Sequence, residues 1–174
     1  MSLFVPKFDE SVIVREAEAE AEVVGRAPTT VRLLADSSST GGALSTQRVT
    51  LTAGADGAAP HWHDRSAEMF FLLDGAADIL SGDEVLTAGP GDLVVVPPGR
   101  PHAFAAVPGA DADLLIVLTP GTERFEYFRH LRRIALGEAT RESLLEVQER
   151  YDNHFLSSTA WDARRRGAAP GETV

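Results

Sequence analysis

No cysteine occurs anywhere in the 174 residues of this chain. Disulfides, thiolate nucleophiles, zinc-thiolate fingers and cysteine-held iron–sulfur clusters are therefore excluded, and the absence fits a reducing compartment. Basic residues are scarce beside acidic ones: 16 Lys and Arg face 26 Asp and Glu, for a net charge of −10. A surface of that sign repels phosphate backbones and anionic lipid, so neither nucleic acid nor a membrane surface is an expected partner. The one dense basic run, Arg164 to Arg166, is too short to reverse this and reads as part of a solvated tail. Long apolar runs are missing too, and Met1 to Glu10 lacks the charged-then-apolar order of a signal peptide, so a cytoplasmic location is expected. Aromatic residues make up only 7% of the chain, yet the hydrophobic share is 44%, enough for a globular core. Length and composition together suit one domain, or one domain with a helical appendage.

What is present falls into zones. Residues 1–28 read as an N-terminal strand or arm: Ser11 to Arg15 carries the β-branched run Val12, Ile13, Val14, while Glu16 to Glu22 fits an edge strand by period and a helix by propensity. Residues 29–119 alternate short strands with turns. The expected strands are Val31 to Ala35, Leu44 to Ala53, Ala67 to Leu73, Ala76 to Leu80, Glu84 to Ala88, Asp92 to Val96, Ala103 to Val107 and Leu114 to Leu118. Between them stand Asp74-Gly75, Ser81-Gly82-Asp83, Gly89-Pro90-Gly91 and Pro97-Pro98-Gly99. Regular short strands with Gly and Pro turns indicate an all-β sandwich or closed barrel rather than βαβ units. Residues 120–162 change to helical periodicity. Thr122 is placed to cap a helix bearing Phe125, Phe128, Leu131 and Ala135, and Thr140 to cap a second bearing Leu144, Val147 and Tyr151. Residues 163–174 read as a flexible tail.

The chemistry concentrates in the barrel zone, where three of the five histidines fall within 42 positions. His61 and His63 are i and i+2, so on an extended strand both imidazoles point to one face. Glu68 follows after a turn through Asp64-Arg65-Ser66, at the start of the next strand. His102 arrives through Pro97-Pro98-Gly99-Arg100-Pro101, where two prolines fix φ and one glycine lets the chain reverse. Three imidazoles and a carboxylate suit one divalent metal ion: Fe, Ni, Mn, Co or Zn. By strand alternation, an inward Glu68 brings Phe70 and Leu72 inward, and an inward His102 brings Phe104, giving an apolar lumen beside the metal for a small hydrophobic or aromatic molecule. The same side chains equally suit plain core filling. His130 and His154, in the helical zone, read as surface or packing residues.

These residues resemble the two motifs of the cupin superfamily. His61-Trp62-His63, four residues, Glu68, six residues and Gly75 match the first motif, with Ala55 where its leading glycine is expected. Gly91, five residues, Pro97, Gly99 and His102 match the second, with Ala106 in place of its final asparagine. Fifteen residues separate the motifs, and the resemblance covers about Leu44 to Leu118. It implies a double-stranded β-helix, the cupin jelly-roll barrel, here with a C-terminal two-helix extension. The whole plan resembles bacterial single-barrel proteins related to quercetin dioxygenase. That likeness implies a metal-dependent dioxygenase acting on an aromatic or enolisable molecule, with His61, His63 and His102 as metal ligands and Glu68 as ligand or catalytic base. A metal-dependent cyclase or isomerase of polyketide- or sugar-like substrates, and a non-catalytic small-molecule-binding barrel, are the alternatives. A homodimer is expected from the N-terminal edge strands and apolar helix stripes.

Overall fold

The computed structural model describes residues 8–25 and 29–168. Among these residues the strands form two antiparallel sheets that face each other as a jelly-roll barrel. The first sheet holds β1 (Ala21–Val24), β2 (Thr29–Ala35), β3 (Ser45–Leu51), β10 (Ala112–Thr119), β5 (Ala67–Gly75) and β8 (Leu93–Val96), ordered β1-β2-β3-β10-β5-β8. The second holds β11 (His154–Phe155), β4 (Asp56–Trp62), β9 (His102–Ala106), β6 (Ala77–Ser81) and β7 (Glu84–Ala88), ordered β11-β4-β9-β6-β7. Strands adjacent in sequence therefore often lie in opposite sheets: β4 and β5 do, and so do β8 and β9.

Alternation decides what fills the space between the sheets. Val31 and Leu33 of β2, Val49 and Leu51 of β3, Leu114, Ile116 and Leu118 of β10, and Phe70 and Leu72 of β5 all point inward and are buried. Polar residues stand among their outward neighbours, as in the Arg48–Asp113 pair, where Arg48 Nη2 lies 2.6 Å from Asp113 Oδ2 across β3 and β10. Two glycines permit close approaches. A Cβ on Gly57 of β4 would fall 2.3 Å from Phe104 Cε2, so the Phe104 ring occupies the space that a side chain would take. Gly75 has φ 73°, and its backbone closes on Asp111 so tightly that a Cβ would meet the Asp111 carbonyl oxygen at 2.0 Å.

Several expectations are corrected. Ser11 to Arg15 is not a strand: it has no sheet partner, and Ile13 is 75% exposed. The edge of the first sheet is taken instead by β1, after a single 3-10 turn at Glu16–Glu18, which resolves the Glu16 to Glu22 ambiguity in favour of both forms in succession. β4 was missing from the expected strands because Gly57 and Pro60 interrupt its pattern, and its pairing with β9 is irregular there. Thr122 does not cap α1 (Phe125–Ala135). Arg124 is its N-cap, without a side-chain cap, and Thr122 instead donates its backbone N–H to Ser45 Oγ at 3.3 Å. Thr140 does cap α2 (Arg141–Leu145), accepting from Ser143 N at 3.2 Å. That helix stops at Leu145, and after Val147 the chain starts a separate α3 (Gln148–Tyr151). The extension thus has more pieces than two helices. It returns a strand, β11, to the second sheet and ends in α4 (Thr159–Ala168).

The flexible tail expected from residue 163 is corrected over 163–168, which belong to α4; residues 169–174 lie outside the described part. The cause is an ion pair between the buried Asp78 and the half-exposed Arg164. Asp78 projects from the outer face of β6, where its carboxylate accepts from Arg164 Nε at 2.8 Å, Arg164 Nη2 at 2.7 Å and Thr87 Oγ1 at 2.7 Å. Arg165 anchors the same helix to the β4 end through Gly54 O at 2.7 Å. Trp161 packs beside Leu80, Ala103 and Ala105 on that outer face, so β6 is buried on both sides. Burial alone would raise the Asp78 pKa, but the hydrogen bonds from Arg164 and Thr87 outweigh it and the net shift is downward. A carboxyl held below its unfolded value stabilises the fold above that value, and the contribution is lost as pH falls through the lower folded pKa. Asp78→Asn is expected to destabilise the protein by about 2–3 kcal/mol at neutral pH, with the deficit vanishing in acid. In a Trp62→Phe background it should shift Trp161 emission to the red; thermal melts and that emission are the measurements.

Candidate metal centre

The two sheets bring the four expected ligand residues together at one end of the barrel. His61 on β4 and His102 on β9 are direct cross-strand partners. His63 follows immediately after β4, and its ring lies 4.9 Å from that of His61 and 5.1 Å from that of His102. Glu68 comes from the opposite sheet, because the chain crosses over through Asp64-Arg65-Ser66 to start β5. The two motifs are tied directly: Gly99 donates its N–H to His63 O at 2.7 Å, and its φ of 75° lets the Pro97–Pro101 turn present that group. One ligand atom from each of the four residues falls within 4.8 Å of every other, and each residue is no more than 2% exposed.

The hydrogen bonds show which atoms face inward. His61 Nδ1 bonds Ala59 O at 2.8 Å, His102 Nδ1 bonds Arg100 O at 2.9 Å, and His63 Nδ1 bonds Asp152 O. A carbonyl oxygen can only accept, so each Nδ1 carries a proton, and a ring in that neutral tautomer turns an Nε2 lone pair to the centre. Glu68 Oε2 lies 2.6 Å from His102 Nε2, 3.0 Å from His63 Nε2 and 3.8 Å from His61 Nε2. Lone pairs facing a carboxylate oxygen at such distances repel unless a cation lies among them. Three Nε2 atoms and one oxygen at these separations fit bonds of about 2.0–2.2 Å to a single ion, so the group can hold a divalent metal. Burial, and then the neighbouring His102 and His63, hold His61 well below the ordinary histidine pKa, which keeps its nitrogen available as a ligand. Burial would raise Glu68, but the adjoining His102 and His63 outweigh it and hold the carboxyl well below the usual carboxylate range.

Asp152 was not anticipated from the sequence. It ends α3 with φ 50°, the left-handed region, and is 1% exposed. Its carbonyl accepts from His63, while its carboxylate accepts from the backbone N–H groups of Asp64 at 2.7 Å and Arg65 at 3.1 Å. One residue therefore fastens the extension to the loop after His63 and orients that imidazole. Nothing in the local sequence marks it, because the groups it bonds lie 87 to 89 residues away. Phe70, Leu72 and Phe104 lie in the core beneath the centre: the Phe70 ring is 6.0 Å from His102 and 5.4 Å from Phe104, with Leu72 one layer deeper. Val94 packs on the same core, whereas Val95 points outward and is 58% exposed. His130 bonds Ser143 Oγ at 2.8 Å and His154 stacks on Trp62 at 4.4 Å; neither joins the four.

A jelly-roll barrel with three histidines and a glutamate converging inside one end defines a class, the single-barrel proteins with a buried site for one metal ion. Residues 47–130 match the family model of the Cupin domain. No curated protein matches the chain. Among solved structures, the polyketide cyclase RemF from Streptomyces resistomycificus is similar at 24% identity and a TM-score of 0.53, over 64% of this chain and 80% of that one. A predicted oxalate decarboxylase from Thermotoga maritima gives 18% and 0.57, over 62% and 97%. A sugar phosphate isomerase of the cupin superfamily from Silicibacter pomeroyi gives 21% and 0.53, over 62% and 74%. At these identities the likeness is one of fold.

His61→Ala and His102→Ala are each expected to abolish stoichiometric metal binding, as measured by elemental analysis of purified protein. Full occupancy in either would contradict the ligand assignment. Asp152→Ala should retain the four ligands yet weaken metal affinity roughly 10–100-fold, read by competition with a chromogenic chelator.

Proposed function

We propose that this protein is a metal-dependent enzyme that removes a proton from an aromatic or enolisable organic substrate through Glu68, and that oxygenation of that substrate is its reaction. The observation that carries the proposal is the set of three proton-pinned imidazoles aiming their free nitrogens at an ionised, buried carboxylate. A bound divalent ion supplies Lewis acidity, which lowers the pKa of a substrate hydroxyl and stabilises the oxyanion left behind. Glu68 then accepts that proton on a carboxylate oxygen; its ionised state at neutral pH leaves it free to do so. The backbone carbonyls of Ala59, Arg100 and Asp152 hold the three rings in place through the transfer, so the histidines need not reorganise. Phe70 and Phe104 form the apolar wall next to His102 and suit an aromatic ring.

A second reading uses the same proton transfer without dioxygen: cyclisation or isomerisation of an enolisable substrate. The similar solved structures named as a polyketide cyclase and a sugar phosphate isomerase favour it. Oxygen-electrode traces with flavonols and catechols, on protein loaded with iron, nickel, manganese or cobalt, separate the two. Oxygen uptake coupled to substrate loss supports oxygenation; anaerobic loss of an enolisable substrate supports the second. Absence of turnover in both, with metal bound, would leave a non-catalytic binding barrel. Glu68→Gln is expected to keep part of the metal and lose turnover by at least about 100-fold. Undiminished turnover would remove Glu68 as the base.

A further inference from the structure

The start of α1 buries a positive charge whose guanidinium has no ion pair among the described residues, the Asp36 carboxylate accepting instead from the Arg124 backbone N–H at 2.8 Å. Arg124, the N-cap of α1, is 4% exposed, and its Nε and Nη1 have no hydrogen-bond partner among the described residues. Its guanidinium lies over the Tyr127 ring at 4.4 Å and the Phe128 ring at 5.2 Å. Ring faces offset only part of the desolvation of a cation, and arginine cannot shed its proton to relieve the rest. A buried guanidinium with idle donors calls for an anion.

Two further buried polar side chains toward the same end of the first sheet are unpartnered. Gln47 Oε1 and Thr122 Oγ1 are buried with no hydrogen-bond partner among the described residues. Thr122 is joined to the inner face of β3 through Ser45, and Gln47 stands two positions along on that same face. Ser45 and Glu68 flank Leu118 on either side in the register of the first sheet, which places this group at the metal end of the barrel. Tyr127 senses the charges of both Arg124 and Glu68, in keeping with that placement. From outside, a cleft of about 400 Å³ reaches Thr122 between Ser37, Ser66, Glu123 and Arg150, with Arg150 paired to Glu123 at 3.1 Å and Arg65 at the edge 3.8 Å from Asp152.

We propose that Arg124, with Gln47 and Thr122, forms a subsite for the carboxylate of a small organic acid, and that the substrate of this protein is such an acid. The planar guanidinium fork donates to two carboxylate oxygens, while the Thr122 hydroxyl donates to a remaining lone pair and Gln47 Oε1 accepts from a hydroxyl of the acid. That the acid is a substrate rests on the enzymatic reading above; its binding does not.

The test is titration calorimetry of full-length, zinc-loaded protein with benzoate and with its neutral isostere benzamide, on wild type, Arg124→Met and Arg124→Lys. Wild type should prefer benzoate. Arg124→Met should bind benzoate at least tenfold more weakly with benzamide unchanged, while keeping its zinc and melting no lower than wild type, since an apolar side chain replaces an unpaired buried charge. Arg124→Lys should fall between, and it decides the matter should the methionine variant fail to fold: benzoate affinity equal to wild type in either variant overturns the proposal. So does the absence of a benzoate preference in wild type. Chelation of benzoate by zinc alone would survive in Arg124→Met and is thereby told apart. Turnover of neutral flavonols unaffected by Arg124→Met would remove the acid as substrate and leave the enzymatic reading standing. Benzoate binding without any turnover would remove the enzymatic reading and leave the subsite.

Discussion

A carboxylate and three imidazoles held out of water at mutual contact distance are stable only if their protons and charges are arranged by something else. Here three backbone carbonyls do that by taking the Nδ1 protons of His61, His63 and His102, so that every free nitrogen faces Glu68. Two of the carbonyls are local: Ala59 and Arg100 each sit two residues before the histidine they orient. The third belongs to Asp152, 89 residues from His63. The centre therefore depends on the barrel for two of its rings and on the C-terminal extension for the other.

The extension in turn depends on the barrel. Asp78 lies in the outer face of β6 and would be an unpaired buried charge without Arg164 of α4; Leu80 and Trp161 bury the apolar area beside it. β11 adds itself to the second sheet next to β4, opposite His61 and Trp62. Loosening the extension therefore exposes a buried carboxylate at one face and frees His63 at the other. Fold stability and metal-site geometry are coupled through the same few contacts.

The chemical character of the centre follows from this packing. Burial lowers the His61 pKa and would raise that of a lone carboxylate, but the adjoining His102 and His63 reverse the second effect at Glu68. An ionised carboxylate among neutral imidazoles is a metal-binding set and a proton acceptor together. The apolar wall of Phe70 and Phe104 and the unpaired cation of Arg124 lie at the same end. A substrate with one ring or enol system and one acidic group would satisfy both.

Much of this was legible in the linear chain. The i, i+2 spacing of His61 and His63, the position of Glu68, and the Pro97-to-His102 turn marked the four residues that converge, because strand alternation and turn stiffness are local rules. The alternation of β2, β3, β5 and β10 marked the core for the same reason. Asp152, Arg124 and the α4 clasp were not legible: each acts on a partner tens of residues away, and nothing in their neighbours announces it. β4 was hidden by Gly57 and Pro60, whose cost in a strand is met by the Phe104 ring and an irregular register. The run Arg164 to Arg166 read as solvated because its principal partner, Asp78, looked like one more surface acid.

By itself, then, the sequence determined the all-β plan, the identity of the four converging side chains and the exclusion of thiol chemistry, since these depend on residue type and short-range geometry. Tertiary structure decided that Glu68 reaches the histidines from the opposite sheet, that Asp152 orients His63, and that Arg124 is buried without a partner. Those facts depend on how distant segments share a small volume from which water is removed, and there the energy of each charge is set by its neighbours in space.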